Sequence, residues 1–317
     1  MQSARISFPP ALFASVLGLS GVAGAAHAAE FLAPGLMIVS LALAWAAAVA
    51  MFVFVALYMS DRMRHGGFAD DWGDATALPF FGALSMALGV LASLARGLPP
   101  EAAMAVWAIA QAMLVMISVR MLHLWVRGRW QAARSRPLTV LPFAGLLLAP
   151  ATGADFAVRE AAFGVYVFGA IAAMVVMPLV IRNLMTSPLP RELRPTLLIL
   201  MSPPALGNLG LVALGSATNA AGPLMNLVLA SVLFLTLLPV FLSEIASGQT
   251  LAMWGLTFPV ASLARGIMLL AGEADSQWLS IYGLLVLGAA TAAVGAAIVP
   301  TVRVVRALLN AAEPPKA

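Results

Sequence analysis

Cysteine is absent from this chain of 317 residues. Disulfides, thiolate metal sites and cysteine nucleophiles are therefore excluded. Histidine occurs only as His27, His65 and His123, and no pair has the i, i+4 spacing of a helical metal site. Charged residues make up 9% of the chain, whereas soluble domains carry about 25%. The net charge of +4 bears on membrane topology more than on nucleic acid. No linker, soluble domain or cofactor motif stands out, so one transmembrane domain over 1–317 and no cofactor are expected.

What is present is apolar surface. Hydrophobic residues reach 62% and the mean hydropathy is +0.99, which makes this a multi-pass membrane protein. A span needs about 20 mostly apolar residues. Ten segments qualify, near 8–28, 35–59, 76–95, 101–125, 138–154, 160–181, 195–216, 221–243, 250–271 and 277–301. The fifth is short and polar at its end.

Arginine and lysine then set the orientation. With the N-terminus inside, the inner side collects Arg5, Arg62, Arg64, Arg120, Arg127, Arg129, Arg134, Arg136, Arg182, Arg191, Arg194, Arg303, Arg306 and Lys316. The outer side keeps Arg96, Arg159 and Arg265. Both termini are expected in the cytoplasm. A rival reading treats Arg5, the following apolar run and Ala26-His27-Ala28 as a secretory signal with its cleavage site. Retention is favoured, because the first segment repeats the pattern of later ones.

That pattern is a proline motif in every odd-numbered segment: Pro9-Pro10, Pro79, Pro142, Pro203-Pro204 and Pro259. Successive intervals from Pro9 are 70, 63, 61 and 56 residues. An interior proline costs a soluble helix about 3 kcal/mol. A membrane helix tolerates one where the freed carbonyls are buried in protein or face a water-filled cavity. Five copies predict five hairpins, each bringing a broken helix to a common axis.

The odd segments hold no Asp or Glu in their interiors. Intramembrane carboxylates mark proton relays and cation pathways, so their absence points to a neutral or anionic substrate. Small residues follow each proline, among them Ala14, Gly18, Gly21, Gly82, Gly145, Gly207 and Gly210. They serve close helix packing, leave width in a lumen, or both. Helix breaks expose N–H groups that favour anions, and the Ser202 and Thr257 hydroxyls beside two breaks can donate as well. An apolar residue would then gate the path by steric closure or dewetting. Phe258, directly before Pro259, is the leading candidate, ahead of Phe81 and Phe143. Arg265 follows Phe258 by seven residues, about 10.5 Å along a helix on nearly the same face. It is expected near the outer mouth, attracting anions there or snorkelling to water. Asp70, Asp71 and Asp74 form a solvated inner loop in preference to a cation site.

These residues resemble one family. The carriers are Phe8-Pro9 through Phe13-Ala14-Ser15-Val16-Leu17-Gly18-Leu19, then Arg194-Pro195-Thr196-Leu197 through Ser202-Pro203-Pro204-Ala205. The most specific is Trp254-Gly255-Leu256-Thr257-Phe258-Pro259. Over nearly its whole length the chain resembles the bacterial tellurite-resistance protein TehA family, which includes the plant guard-cell slow anion channels. Members are also described as C4-dicarboxylate/malic acid transporters. The resemblance implies an all-α fold of ten transmembrane helices, arranged as five hairpins around a quasi-fivefold pore, and a homotrimer. It implies that Phe258 occludes the pore. Pro9, Pro79, Phe81, Pro142, Phe143, Pro204, Thr257 and Pro259 are then expected to line the pore or pack the gate. The family commonly has glycine after the first-helix phenylalanine, close to the gate ring, where this chain has Ala14. Leu256 likewise replaces a family aromatic.

The leading expectation is an anion channel for small inorganic or organic anions. The alternative is a proton-coupled carrier of C4-dicarboxylates or tellurite-like oxyanions, which would work by alternating access. An intramembrane enzyme would need a nucleophile–base pair or metal cluster, and the residues offer neither. A purely structural or sensory membrane protein would show no conductance in any variant.

Overall fold

The computed structural model describes residues 7–128, 136–215, 221–248 and 250–312. Arg5, Arg129, Arg134 and Lys316 of the charge pattern lie outside them. The described residues form helices and no strand. In chain order these are α1 (Phe13–Ala28), α2 (Gly35–His65), α3 (Phe68–Gly73), α4 (Leu78–Leu94), α5 (Pro100–Val126), α6 (Leu141–Leu146), α7 (Ala149–Thr152), α8 (Arg159–Thr186), α9 (Ser202–Ala213), α10 (Ala221–Ser247), α11 (Trp254–Ala274) and α12 (Gln277–Ala312). Among them, eight helical stretches are long and apolar enough to cross a membrane. Two further apolar helices, Leu78–Leu94 and Pro137–Leu146, are shorter and fall in the third and fifth segments.

The fifth segment is not one helix. A 3-10 turn, Pro137–Val140, leads into α6, and α7 follows after Leu147 and Leu148. Pro150 has no N–H for the Leu146 carbonyl, which ends α6 there. Elsewhere helices overrun the apolar stretches: α2 continues to His65 and α12 to Ala312.

Most of the prolines begin helices instead of interrupting them. Pro10 opens a 3-10 turn before α1, and Pro79, Pro142 and Pro203 each take the second position of a helix. The missing N–H costs nothing there, because the first-turn donors have no helical partner anyway. Only Pro259 lies inside its α-helix among the five motifs. The breaks are therefore 3-10-to-α junctions at the start of α1, α6, α9 and α11.

The apolar helices separate into two layers. The odd-numbered segments are inner: 72% of the most apolar stretch is buried in Pro10–Ala28 and in Leu251–Ala274, and 67% in Arg191–Ala213. In Gly35–His65 only 17% is buried, and in Ala221–Ser247 22%. The inner helices contact one another cyclically, α1 to α4, α4 to α6, α6 to α9, α9 to α11 and α11 back to α1. Each also packs on an outer helix of its own hairpin: α2, α5, α8, α10 and α12 respectively. Glycine permits the close approaches. A methyl on Gly82 would lie 2.8 Å from Pro142 Cγ, and one on Gly210 would lie 2.6 Å from the Tyr166 ring.

Both ends of the described chain lie at the same end of the ring. Trp254 Nε1, at the start of α11, donates to Thr301 Oγ1 of α12 at 2.7 Å. At the start of α1 the Phe8 N–H donates to Asp61 at 3.1 Å. Arg62 holds Asp71 at 2.7 Å, and Tyr58 donates to the same carboxylate at 2.9 Å. Asp74 accepts from Thr76. Asp71 and Asp74 thus tie the α2–α4 connection together, and no metal-holding cluster of His, Asp or Glu occurs among the described residues.

Candidate functional site

All five inner elements meet around one cavity of about 270 Å³. The first contributes Ala11, Ala14 and Leu17, the second Phe80, the third Leu138 and Leu141. The fourth contributes Glu192, Leu193, Thr196 and Ile199, and the fifth runs from Leu251 to Pro259. The cavity lies at the N-terminal ends of the inner helices. Its walls are almost entirely apolar, with Glu192, Thr196 and Thr250 the polar exceptions. The Thr196 hydroxyl donates to Leu193 O at 2.6 Å and Thr250 Oγ1 to Glu192 O at 3.2 Å, so both are engaged by backbone.

Phe258 lies deepest in α11 among the lining aromatics and is 3% exposed. Its ring rests on α1. A methyl placed on Gly21 would lie 2.6 Å from Phe258 Cδ2, closer than real Cβ atoms come to any neighbour. Three residues earlier, a methyl on Gly18 would overlap Thr257 Oγ1 and the Trp254 ring. Gly18 and Gly21 thus let α1 and α11 touch along the Trp254–Phe258 turn. Pro259 offers no N–H to the Gly255 carbonyl, and both residues line the cavity.

Beyond the ring lies a fixed cation. The Arg265 guanidinium approaches α1, where a methyl on Gly24 would lie 3.4 Å from Nη1. Gly24 is one helical turn past Gly21, and Arg265 is two turns past Phe258, so the guanidinium lies beyond the ring along both helices. Its Nε is buried with no hydrogen-bond partner, and it belongs to no ion pair among the described residues. At that end Glu30 pairs with other cations: it lies 3.3 Å from His27 Nδ1 and 3.8 Å from Arg96.

The remaining candidates divide. Ala14 is half-buried and lines the cavity together with Phe258 and Pro259. The Thr257 hydroxyl is fully buried and donates to Trp254 O at 2.8 Å, which satisfies it within its own helix. Ser202 Oγ is buried without a partner and does not line the cavity. Pro9 is half-buried, and Pro79 and Pro204 are buried at helix starts outside the lining. Pro142 packs on Gly82 between α4 and α6. Phe81 points away from the cavity, into an aromatic cluster 5.8 Å from the Phe13 ring centroid and 5.5 Å from that of Tyr58. Phe80 lines the cavity instead. Phe143 faces outward into a small recess with Met121, Trp125 and Val176.

A cyclic arrangement of five inner helices around an apolar cavity is an unusual architecture, and the sequence carries a matching signature. The SLAC1 family model, described as voltage-dependent anion channel, matches residues 7–302.

The chain belongs to the SLAC1 family.

No curated protein matches the chain. The SLAC1 family groups anion channels and transporters that include TehA, so anion channel or transporter activity in general follows from membership. The match spans all five inner elements and all five outer helices up to residue 302 of α12. Three residues of this SLAC1-family site stand outside the sequence-based candidates. Gly21 was visible only as one small residue among many. Phe80 is a one-residue neighbour of the expected Phe81. Glu192 precedes the seventh apolar segment, and hydropathy alone does not draw it into the site.

Proposed function

We propose that the chain is an anion channel. Small inorganic or organic anions pass along the axis of the five inner helices, and Phe258 closes that axis at rest. One observation supports the reading: the Phe258 ring, pressed on Gly21, lines an apolar cavity to which all five inner elements contribute, and Arg265, two turns further along α11, has no ion-pair partner among the described residues. Arg265 draws anions toward the far side of the ring. Ala14 and Pro259 shape the near side.

The finer architecture belongs to the same reading. Ten spans form five hairpins with quasi-fivefold symmetry in one channel domain, with the two short apolar helices completing the count. Both termini are cytoplasmic, in keeping with the arginine pattern; the membrane is the bacterial inner membrane, and three copies assemble, as the resemblance implies. The proton-coupled carrier finds less support, because the inner helices bring no carboxylate to mid-membrane. An enzymatic role finds no clustered catalytic groups behind it among the described residues. The test is anion current after Phe258→Ala. Malate uptake that saturates, follows a pH gradient and occurs without conductance would favour the carrier.

A further inference from the structure

Glu192 is the one charged side chain among the residues that line the cavity. It is exposed, which puts it at the mouth. Its carboxylate makes no hydrogen bond or ion pair among the described residues, since the Thr250 contact uses its backbone oxygen. Arg191 and Arg194 flank it in sequence, yet they are exposed and do not line the cavity. The inner helices direct their N-terminal, partly positive ends to the same mouth. A full negative charge stands among them, at the place where an anion would first be welcomed. Further along α11 than Phe258 stands Arg265, positive and in no ion pair among the described residues.

We propose that Glu192 is an electrostatic brake on anions approaching from the cavity end, and that Arg265 is its opposite on the far side of Phe258. The inference rests on the anion-channel reading above. A unit charge about 5–10 Å away in water changes the local concentration of a monovalent anion about two- to fourfold. A dianion feels the square of that factor. Glu192 therefore selects against dicarboxylates at the cavity mouth more strongly than against monovalent anions. It also makes the two directions of flux unequal. The effect depends on salt, because an exposed charge is screened over about 10 Å at 0.1 M and about 3 Å at 1 M.

The test uses purified full-length protein in planar bilayers. The orientation is fixed by protease access to a C-terminal tag, which marks the Glu192 side. In the Phe258→Ala background, Glu192→Gln should raise the chloride current carried from the Glu192 side about two- to fourfold at low salt. The opposite current limb should stay unchanged. With malate on the Glu192 side the gain should be larger, about four- to sixteenfold, and in 1 M salt both gains should shrink. Arg265→Gln should lower the other limb. Glu192→Lys extends the series and should exceed the effect of glutamine. Equal changes in both limbs, no change, or a gain that persists in 1 M salt would overturn the brake while leaving the channel intact. Inserted Phe258→Ala protein that carries no current would overturn the channel reading, and the brake with it.

Discussion

Phe258 and Gly21 are fitted to each other: the ring of one occupies the space where the other would carry a Cβ, with Cδ2 2.6 Å from that position. The contact joins α1 to α11 at the level where the cavity ends. Gly21→Ala must therefore displace the ring. Resting anion current in that variant should lie between wild type and Phe258→Ala. Adding Gly21→Ala to Phe258→Ala should change little, because the ring that the methyl displaces is gone. Recording both series in the same membranes checks the coupling.

Ala14 leads to the opposite expectation. It shares the cavity wall with Phe258, but the close support of the ring comes from Gly21. Ala14→Gly should leave resting current near the wild-type level. A large constitutive current would return the supporting role to position 14.

Phe80 and Phe81 separate permeation from folding. Phe81 is held by Phe13 and Tyr58, and truncating a buried phenylalanine costs about 3–5 kcal/mol. Phe81→Ala should lower the thermal unfolding midpoint in detergent, with the current of surviving protein unaltered in the Phe258→Ala background. Phe80→Ala should do the reverse, altering conductance with a smaller loss of stability.

Gly210 tests the inner ring. A methyl there would overlap the Leu147 carbonyl and approach the Tyr166 ring to 2.6 Å. Overpacking of this kind costs about 1–3 kcal/mol. Gly210→Ala should lower the unfolding midpoint measurably, whereas Gly288→Ala, where nothing lies within 4 Å of the new methyl, should not.

Much of the fold was legible because a bilayer imposes it. Each of the ten apolar segments contains a helix, and the boundaries failed mainly where polar residues prolong α2 and α12 past the apolar run. The Pro150 break was harder to see, since leucines on both sides keep the hydropathy high. Arg265 was legible from its seven-residue spacing to Phe258, because helix geometry is regular over two turns. Its approach to Gly24 was not, since that depends on how α1 and α11 pack. Phe81 and Phe80 differ by about 100° around a helix, and spacing alone does not say which faces the axis. The Gly21–Phe258 contact depends on how α1 crosses α11, a relation between segments more than two hundred residues apart.

The most direct test is the current carried by Phe258→Ala. Wild-type and variant protein are compared in oocytes or bilayers at matched surface expression, with chloride and then nitrate as the main anion. The variant should raise anion conductance about tenfold or more, as lowering a barrier by about 1.4 kcal/mol would, with reversal potentials that follow the anion gradient. Current unchanged from wild type in correctly inserted protein would contradict the assignment of Phe258 as the gate.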